Sequence, residues 1–267
     1  MTENSNLWTK KHTIQNNLEI WDEHYAWPQD GDEWSGQANR CNQPYEKWKQ
    51  SIVDSFIRPN ILETSAVLEI APGHGRWSEE VIERSRQATL VDLSPACIEF
   101  CRQRFSSFDN VSYLANDGKS LAGVADDSVD FIWSFDAFIH MNADVIDSYF
   151  SEVRRVLKAD GIAFIHHAGR NNTFLPFSFL RSLGRPGRKL YKLMTMGKLK
   201  DDDGWRSDIS RQKIVKLAGK NGMAVQDQIR SWGANGEYSF EKYGDYISII
   251  RKTTIDISAN QYVKPLM

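Results

Sequence analysis

The chain has 267 residues and a mass of 30.7 kDa, enough to bury one large core or a core with a cap. Its 33 basic and 35 acidic residues leave a net charge of −2 and a pI near 6.3, so no global basic field exists to hold a nucleic-acid backbone. A mean hydropathy of −0.51, no apolar run near the roughly 20 residues of a bilayer span, and no apolar stretch in residues 1–17 argue against a membrane segment or a secretory signal.

Cys41, Cys97 and Cys101 are odd in number and lack Cys-x-x-Cys spacing. They read as reduced thiols of a cytoplasmic protein, not as disulfides or a zinc site. Five of the nine tryptophans (Trp8, Trp21, Trp27, Trp34 and Trp48) fall in the first fifty residues. Residues 25–36 are too broken by Pro and Gly for regular structure, yet too aromatic to stand in water. They are expected to pack onto the main domain, within a cap region spanning 1–60. Tyr45 to Ile57 carries Trp48, Ile52, Val53 and Phe56 at helical spacing and is closed by Pro59.

From Ala66 the texture alternates. Strands are predicted over 66–70, up to Asp92, over 111–117, 129–135 and 161–168. Helices fill the gaps: 78–86, one capped by Ser94 with Pro95 in its first turn and running to about Arg104, and 143–157 ending in a Lys-Ala-Asp-Gly turn. Strands separated by helices of ten or so residues imply parallel crossover units in an α/β, Rossmann-like open sheet with helices on both faces. Residues 169–207 break this rhythm with Gly, Pro and basic residues and a short helix near 177–183; they read as a lid inserted between strands five and six. A helix over 209–219 and strands over 223–232 and 246–251 complete a domain running over 61–267 and a sheet of seven strands.

The informative stretch is Glu69-Ile70-Ala71-Pro72-Gly73-His74-Gly75 at the end of the first strand. Glycines there let backbone approach a ligand, at a helix N-terminus whose N–H groups face the cleft. Asp92, closing the second strand about 20 residues on, is placed to accept two hydrogen bonds from a ribose diol.

These residues resemble the motifs of class I S-adenosylmethionine-dependent methyltransferases, in order, over residues 66–168. VLEIAPGHGRW is similar to the family's first motif, VDLSPACIEFC to its second and LANDGKSL to the loop bracketing the adenine. DSVDFIWSFDAFIHM resembles the fourth motif, and FSEVRRVLKADGIAFI the following helix and fifth strand. The resemblance implies S-adenosylmethionine as cofactor. It sets Glu69, Ala71, Gly73 and Gly75 by the methionine part, Asp92 and Leu93 by the ribose, Asn116, Asp117 and Gly118 by the adenine, and Phe135 beside the sulfonium. Ala71 departs from the family's first glycine. A rival reading is dinucleotide binding, since Gly73 to Ser78 imitates G-x-G-x-x-G with Ser last. Another is a binding module without chemistry.

Methyl transfer from a sulfonium is an in-line displacement governed by positioning, and a hydroxyl acceptor also needs a base. Asp136 and His140, four apart past the fourth strand, project together if a helical turn follows; His140 is the leading base and Asp136 orients. His166 and His167 end the fifth strand on opposite faces, so one is expected to reach the acceptor. Trp34, Arg170, Trp205 and Arg206 are candidate acceptor contacts. The acceptor is expected to be a small molecule, probed first as a sugar or another hydroxylated metabolite, with amine methylation the runner-up. No clustered acidic set points to a metal. Residues 20–40 and 170–207 together are expected to cover the acceptor site.

Overall fold

The structure, a computed structural model, describes residues 12–28, 36–169, 206–240 and 244–253. Trp34, Arg170, Trp205, the expected helix near 177–183 and the 170–205 part of the insertion lie outside the described residues.

The central sheet is built from β1 (Ala66–Ile70), β2 (Gln87–Asp92), β3 (Val111–Ala115), β4 (Val129–Ser134), β5 (Leu157–Ala168), β6 (Met223–Ile229) and β9 (Asp245–Lys252). Their order is β3-β2-β1-β4-β5-β9-β6, with β9 antiparallel to both its neighbours. The chain runs outward from β1 to β3, then returns to place β4 on the other side of β1. That reversal opens a crevice at the carboxyl ends of β1 and β4, where a doubly wound sheet takes its ligand.

Alternation along the strands builds two cores. Phe131 and Trp133 of β4 and Ile162 and Phe164 of β5 meet Trp48, Ile52 and Phe56 on one face. Ile132, Ala163 and Ile165 meet Val145, Ile146, Phe150 and Val153 on the other. Both faces are covered, as a mostly parallel sheet requires. The first face is covered by α3 (Tyr45–Ile52) and α4 (Ser78–Arg84), the second by α6 (Ala143–Val156) and α7 (Arg211–Lys220). Before them come α1 (Ile14–Leu18) and α2 (Gly36–Arg40); α5 (Pro95–Arg104) follows β2 and is capped by Ser94, whose Oγ accepts from Cys97 N–H at 3.0 Å.

Four boundaries differ from expectation. The helix of 45–57 is α-helical only to Ile52; Val53–Ile57 widens into a π turn and Arg58–Asn60 tightens around Pro59, which cannot donate to the preceding turn. α4 stops at Arg84, because Ser85 turns extended at φ −101°. The anticipated turn at residues 158–161 lies within β5 as a bulge: Val129 pairs with Leu157, yet Phe131 pairs with Ile162. The strand expected over 223–232 breaks at Arg230. Its last residues form β7 (Ser231–Trp232), which pairs with β8 (Tyr238–Ser239) as a separate ribbon. Trp232 is buried there and donates to Ser51 Oγ at 3.0 Å, so packing on the 45–57 segment decides the break.

Candidate active site

A cavity of about 340 Å³ lies in the crevice. One side is made by Ala71, Pro72 and Gly73 after β1, by Asp92, Leu93 and Ser94 after β2, and by Gly118 after β3. Asp92 organises this side. Its Oδ2 accepts from Gly73 N–H at 3.1 Å and its Oδ1 from Ser94 N–H at 2.9 Å. Burial pushes the Asp92 carboxyl up to about 6, against the lowering by the backbone N–H groups of Ser94, Gly73 and Leu93, with nearby Asp22 adding to the rise. An acid this poorly compensated, with lone pairs left over and a face on a cavity, is suited to two further hydroxyl donors such as a ribose diol.

Two of the three first-loop positions that line the cavity lie in the left-handed region: Ala71 at φ +58° and Gly73 at φ +57°. The left-handed turn at 71 is the physical reason glycine suits that position, and Ala71 carries the strain of a Cβ there. At Gly73 a Cβ would sit 2.6 Å from the Trp27 ring, so the loop is closely roofed.

The roof is the segment 13–28, which lies across both halves of the cavity. Ile14 covers Gly118, and Trp27 stacks on His74 at 4.6 Å, which in turn stacks on Phe100 at 3.7 Å. Asp22 Oδ1 accepts from Ser94 Oγ at 2.5 Å and from Ala96 N–H at 3.2 Å, fastening the segment to the start of α5. Asn17 donates to the His140 carbonyl at 2.9 Å. Trp21, Tyr25 and Trp27 face the cavity.

The opposite side is formed by Phe135, Asp136, Ala137, Ile139 and His140. After β4 the chain turns through Asp136, at φ +61°, into a single 3₁₀ turn, Phe138–His140. Asp136 itself lies outside that turn, yet it and His140 both line the cavity. His140 is 8% exposed and its ring packs on Trp21 at 4.9 Å. The oxygens of Asp136, however, bind elsewhere: Gln37 Nε2 donates to Oδ1 at 3.0 Å and Arg76 Nη1 to Oδ2 at 3.1 Å. His166 Nδ1 stands 3.1 Å from Oδ1 and 3.2 Å from the Asp136 backbone nitrogen. Burial disfavours the Asp136 charge, but the His166 contact and the Arg76 and Arg206 cations outweigh it and hold the carboxyl well below the usual range.

The other expected residues separate by position. Glu69 is buried beneath the first loop, accepting from Ser78 Oγ at 2.7 Å, and supports the loop without reaching the cavity. Gly75 packs on Phe105. Asn116 shapes the third loop through Gly118 N–H, the Ser120 carbonyl and the Tyr149 hydroxyl; Asp117, exposed, accepts from Lys119 and Ser120 N–H groups. Two expectations are corrected. His167 lies on the far face of β5, its Nε2 2.6 Å from Ser248 Oγ and its Nδ1 2.7 Å from the Ala168 carbonyl, so it is not an acceptor group. Burial pulls its pKa down to about 3, keeping the ring neutral. Arg206 is buried and paired with Asp245 at 2.9 Å, not extended toward an acceptor.

Arg76, Gln37 and Asp245 are the contributors that sequence reasoning missed. Arg76 stands inside the first motif and was masked by its glycines; Gln37 and Asp245 join the site only through the folding of distant segments.

A glycine loop after β1, an acid after β2 and a cavity at the strand-order reversal are arranged on the Rossmann-like fold that solved S-adenosylmethionine-dependent methyltransferases share. Residues 67–161 match the family described by the words methyltransferase domain. Over 128 residues the chain is 29% identical to the Bacillus subtilis (strain 168) methyltransferase-family protein YqeM, covering 45% of this chain and 47% of that one. The chain thus spans about half the length of the curated relative it matches. A Clostridium acetobutylicum ATCC 824 S-adenosylmethionine-dependent methyltransferase superposes with a TM-score of 0.56 at 15% identity, over 82% of this chain and 96% of that one. PKMT2 from Rickettsia typhi, solved with AdoHcy, gives 0.50 at 19% identity over 80% and 54%. Residues 67–161 thus carry a methyltransferase domain, and the fold is the one shared by solved S-adenosylmethionine-dependent methyltransferases.

Proposed function

We propose that this protein is a cytoplasmic enzyme that transfers a methyl group from S-adenosylmethionine to a hydroxyl of a small acceptor, a sugar or another hydroxylated metabolite. The observation that carries the reading is Asp92: a buried acid at the end of β2, bonded to the Gly73 and Ser94 N–H groups and facing the cavity. Ala71, Gly73, Leu93 and Gly118 complete the cofactor side, and Phe135 lines the same cavity.

The bound sulfonium supplies an electrophilic methyl group. The protein's own work is to hold the ribose through Asp92, exclude water with the 13–28 roof, and present an acceptor oxygen. In this reading the His140 imidazole takes the proton of the reacting hydroxyl as the oxygen–methyl bond forms, and Asp136 orients the acceptor by accepting a hydrogen bond from a neighbouring hydroxyl of it. Because the roof touches Gly73 and Gly118 as well as His140, its removal is expected to weaken cofactor binding along with turnover. The division into a cap over 1–60 and a catalytic domain over 61–267 belongs to the same proposal.

The test is a screen of cell-extract metabolites for uptake of isotopic methyl from S-adenosylmethionine, followed by product fragmentation. Methyl on oxygen, with His140→Ala at least about 100-fold slower, supports the reading. Methyl on nitrogen would transfer the site to amine chemistry. Cofactor binding with no transfer to any component would favour a binding module.

A further inference from the structure

The feature with least reason to exist for stability alone is the buried Arg76. Its residue is 3% exposed and its side chain 1%. A buried ion pair is commonly matched or exceeded in stability by apolar residues of the same volume, so burial of this cation calls for a role. Its guanidinium is caged by Tyr45, Trp48, Trp77 and Phe135, with ring centroids 5.1–5.8 Å away. Nε donates to the Tyr45 hydroxyl at 3.0 Å and Nη1 to Asp136 Oδ2 at 3.1 Å. The cage leaves the fork little freedom, and the fork fixes one carboxylate oxygen.

The rest of Asp136 is fixed by other elements. Gln37 of α2 donates to Oδ1, and His166 of β5 meets both Oδ1 and the backbone N–H. Asp136 holds a left-handed φ of +61°, a backbone state that persists only where surroundings over-determine it. Behind His166 stand Asp245 of β9, 3.9 Å from Nε2, and Arg206, paired with Asp245. The titratable and charged groups facing Asp136 are therefore Arg76, His166 and Arg206, with Asp245 beyond the imidazole.

We propose, resting on the methyl-transfer reading, that Arg76 is a positioning residue: it fixes the Asp136 carboxylate in the orientation that receives a neighbouring hydroxyl of the acceptor. Arg76 follows Gly75 directly, so the same loop that shapes the cofactor side also sets the acceptor side. The cation does not touch acceptor or cofactor; it acts through Asp136.

The experiment compares wild type with Arg76→Met, Arg76→Lys and the double variant Arg76→Met/Asp136→Asn, all as full chains. Three quantities are read: S-adenosylhomocysteine affinity by calorimetry, isotopic methyl uptake from the active extract fraction across pH, and the Asp136 carboxyl by carbon NMR of aspartate-labelled protein, assigned by Asp136→Asn. Arg76→Met is expected to bind S-adenosylhomocysteine within about threefold of wild type, lose at least about tenfold in methyl uptake and move the Asp136 titration to higher pH. Arg76→Lys, keeping the charge without the planar fork, is expected to recover part of the rate. The double variant is expected to regain thermal stability and not turnover, which separates positioning from folding. Full activity in Arg76→Met, or an unmoved Asp136 titration, overturns the proposal. Absence of methyl uptake in wild type overturns the transfer reading instead, and the NMR comparison still judges the Arg76–Asp136 contact.

Discussion

The two sides of the cavity are built on different principles. The cofactor side is local in sequence: loops after β1, β2 and β3 bring backbone N–H groups to one acid, Asp92, and a single side chain does the organising. The acceptor side is assembled from α2, the first loop, β5, β9 and the start of α7's lead-in, through Gln37, Arg76, His166, Asp245 and Arg206 around Asp136. One side depends on backbone geometry and a lone charge, the other on a chain of alternating charges. The first should therefore fail through ligand affinity and the second through stability and turnover.

The largest effect expected is on the charged chain. Arg206→Met leaves Asp245 buried without its partner, and a loss of about 3–5 kcal/mol in unfolding free energy is expected. Chemical denaturation checks this, and S-adenosylhomocysteine affinity of the folded variant should stay close to wild type. An equal loss of affinity would erase the distinction between the two sides.

Next comes Asp92→Ala, which in the proposed reading removes the acceptor of two ribose hydrogen bonds. At about 1.5–3 kcal/mol for each bond to a charged group, S-adenosylhomocysteine binding should weaken by a factor of 100 or more. Calorimetry reads it directly, and thermal stability without ligand should change little or rise, since a strained buried charge is lost.

The pH dependence follows from the same acid. Its folded pKa is raised, from 3.8 to about 6. In the ligand-free protein, protonated Asp92 therefore favours the fold below about pH 4, and that contribution is lost as pH rises through about 6. Cofactor binding needs the ionised form, so affinity should be flat above pH 6.5 and fall by about tenfold per unit below pH 6. Affinity independent of pH down to 5 would show that Asp92 does not carry the ribose.

The smallest effect is at Ala71. With φ at +58°, Ala71→Gly removes a left-handed penalty of about 1–2 kcal/mol against a glycine entropy cost of about 0.5–1, leaving a gain of roughly 0–1.5 kcal/mol. Thermal unfolding would resolve it. A clear loss would mean that the Ala71 methyl group packs usefully in the cavity wall.

How much of this was readable in sequence divides along the same line. The strands expected over 66–70 and 129–135 and the Ser94 cap followed from short apolar runs and turn chemistry, because each depends on neighbours a few residues away; the second strand ends one residue early, at Ser134. Glu69 and Asp117 were singled out as cofactor residues by their motif positions, yet Glu69 serves under the loop and Asp117 stands exposed. Motif membership marks a neighbourhood; which side of the backbone a carboxylate takes is settled by packing.

The amino-acid sequence by itself determined the alternation of strands and helices, the glycine loop and the acid after β2, since these rest on local propensity and short-range spacing. Only the tertiary structure decided what surrounds them. His166 and His167 are adjacent in sequence, yet β5 sends one to Asp136 and the other to Ser248. Arg206 looked like an acceptor clamp until β9 brought Asp245 beneath it. Buried charges take their roles from partners far along the chain, because desolvation makes the nearest opposite charge decisive, and nearness in space is what folding alone supplies.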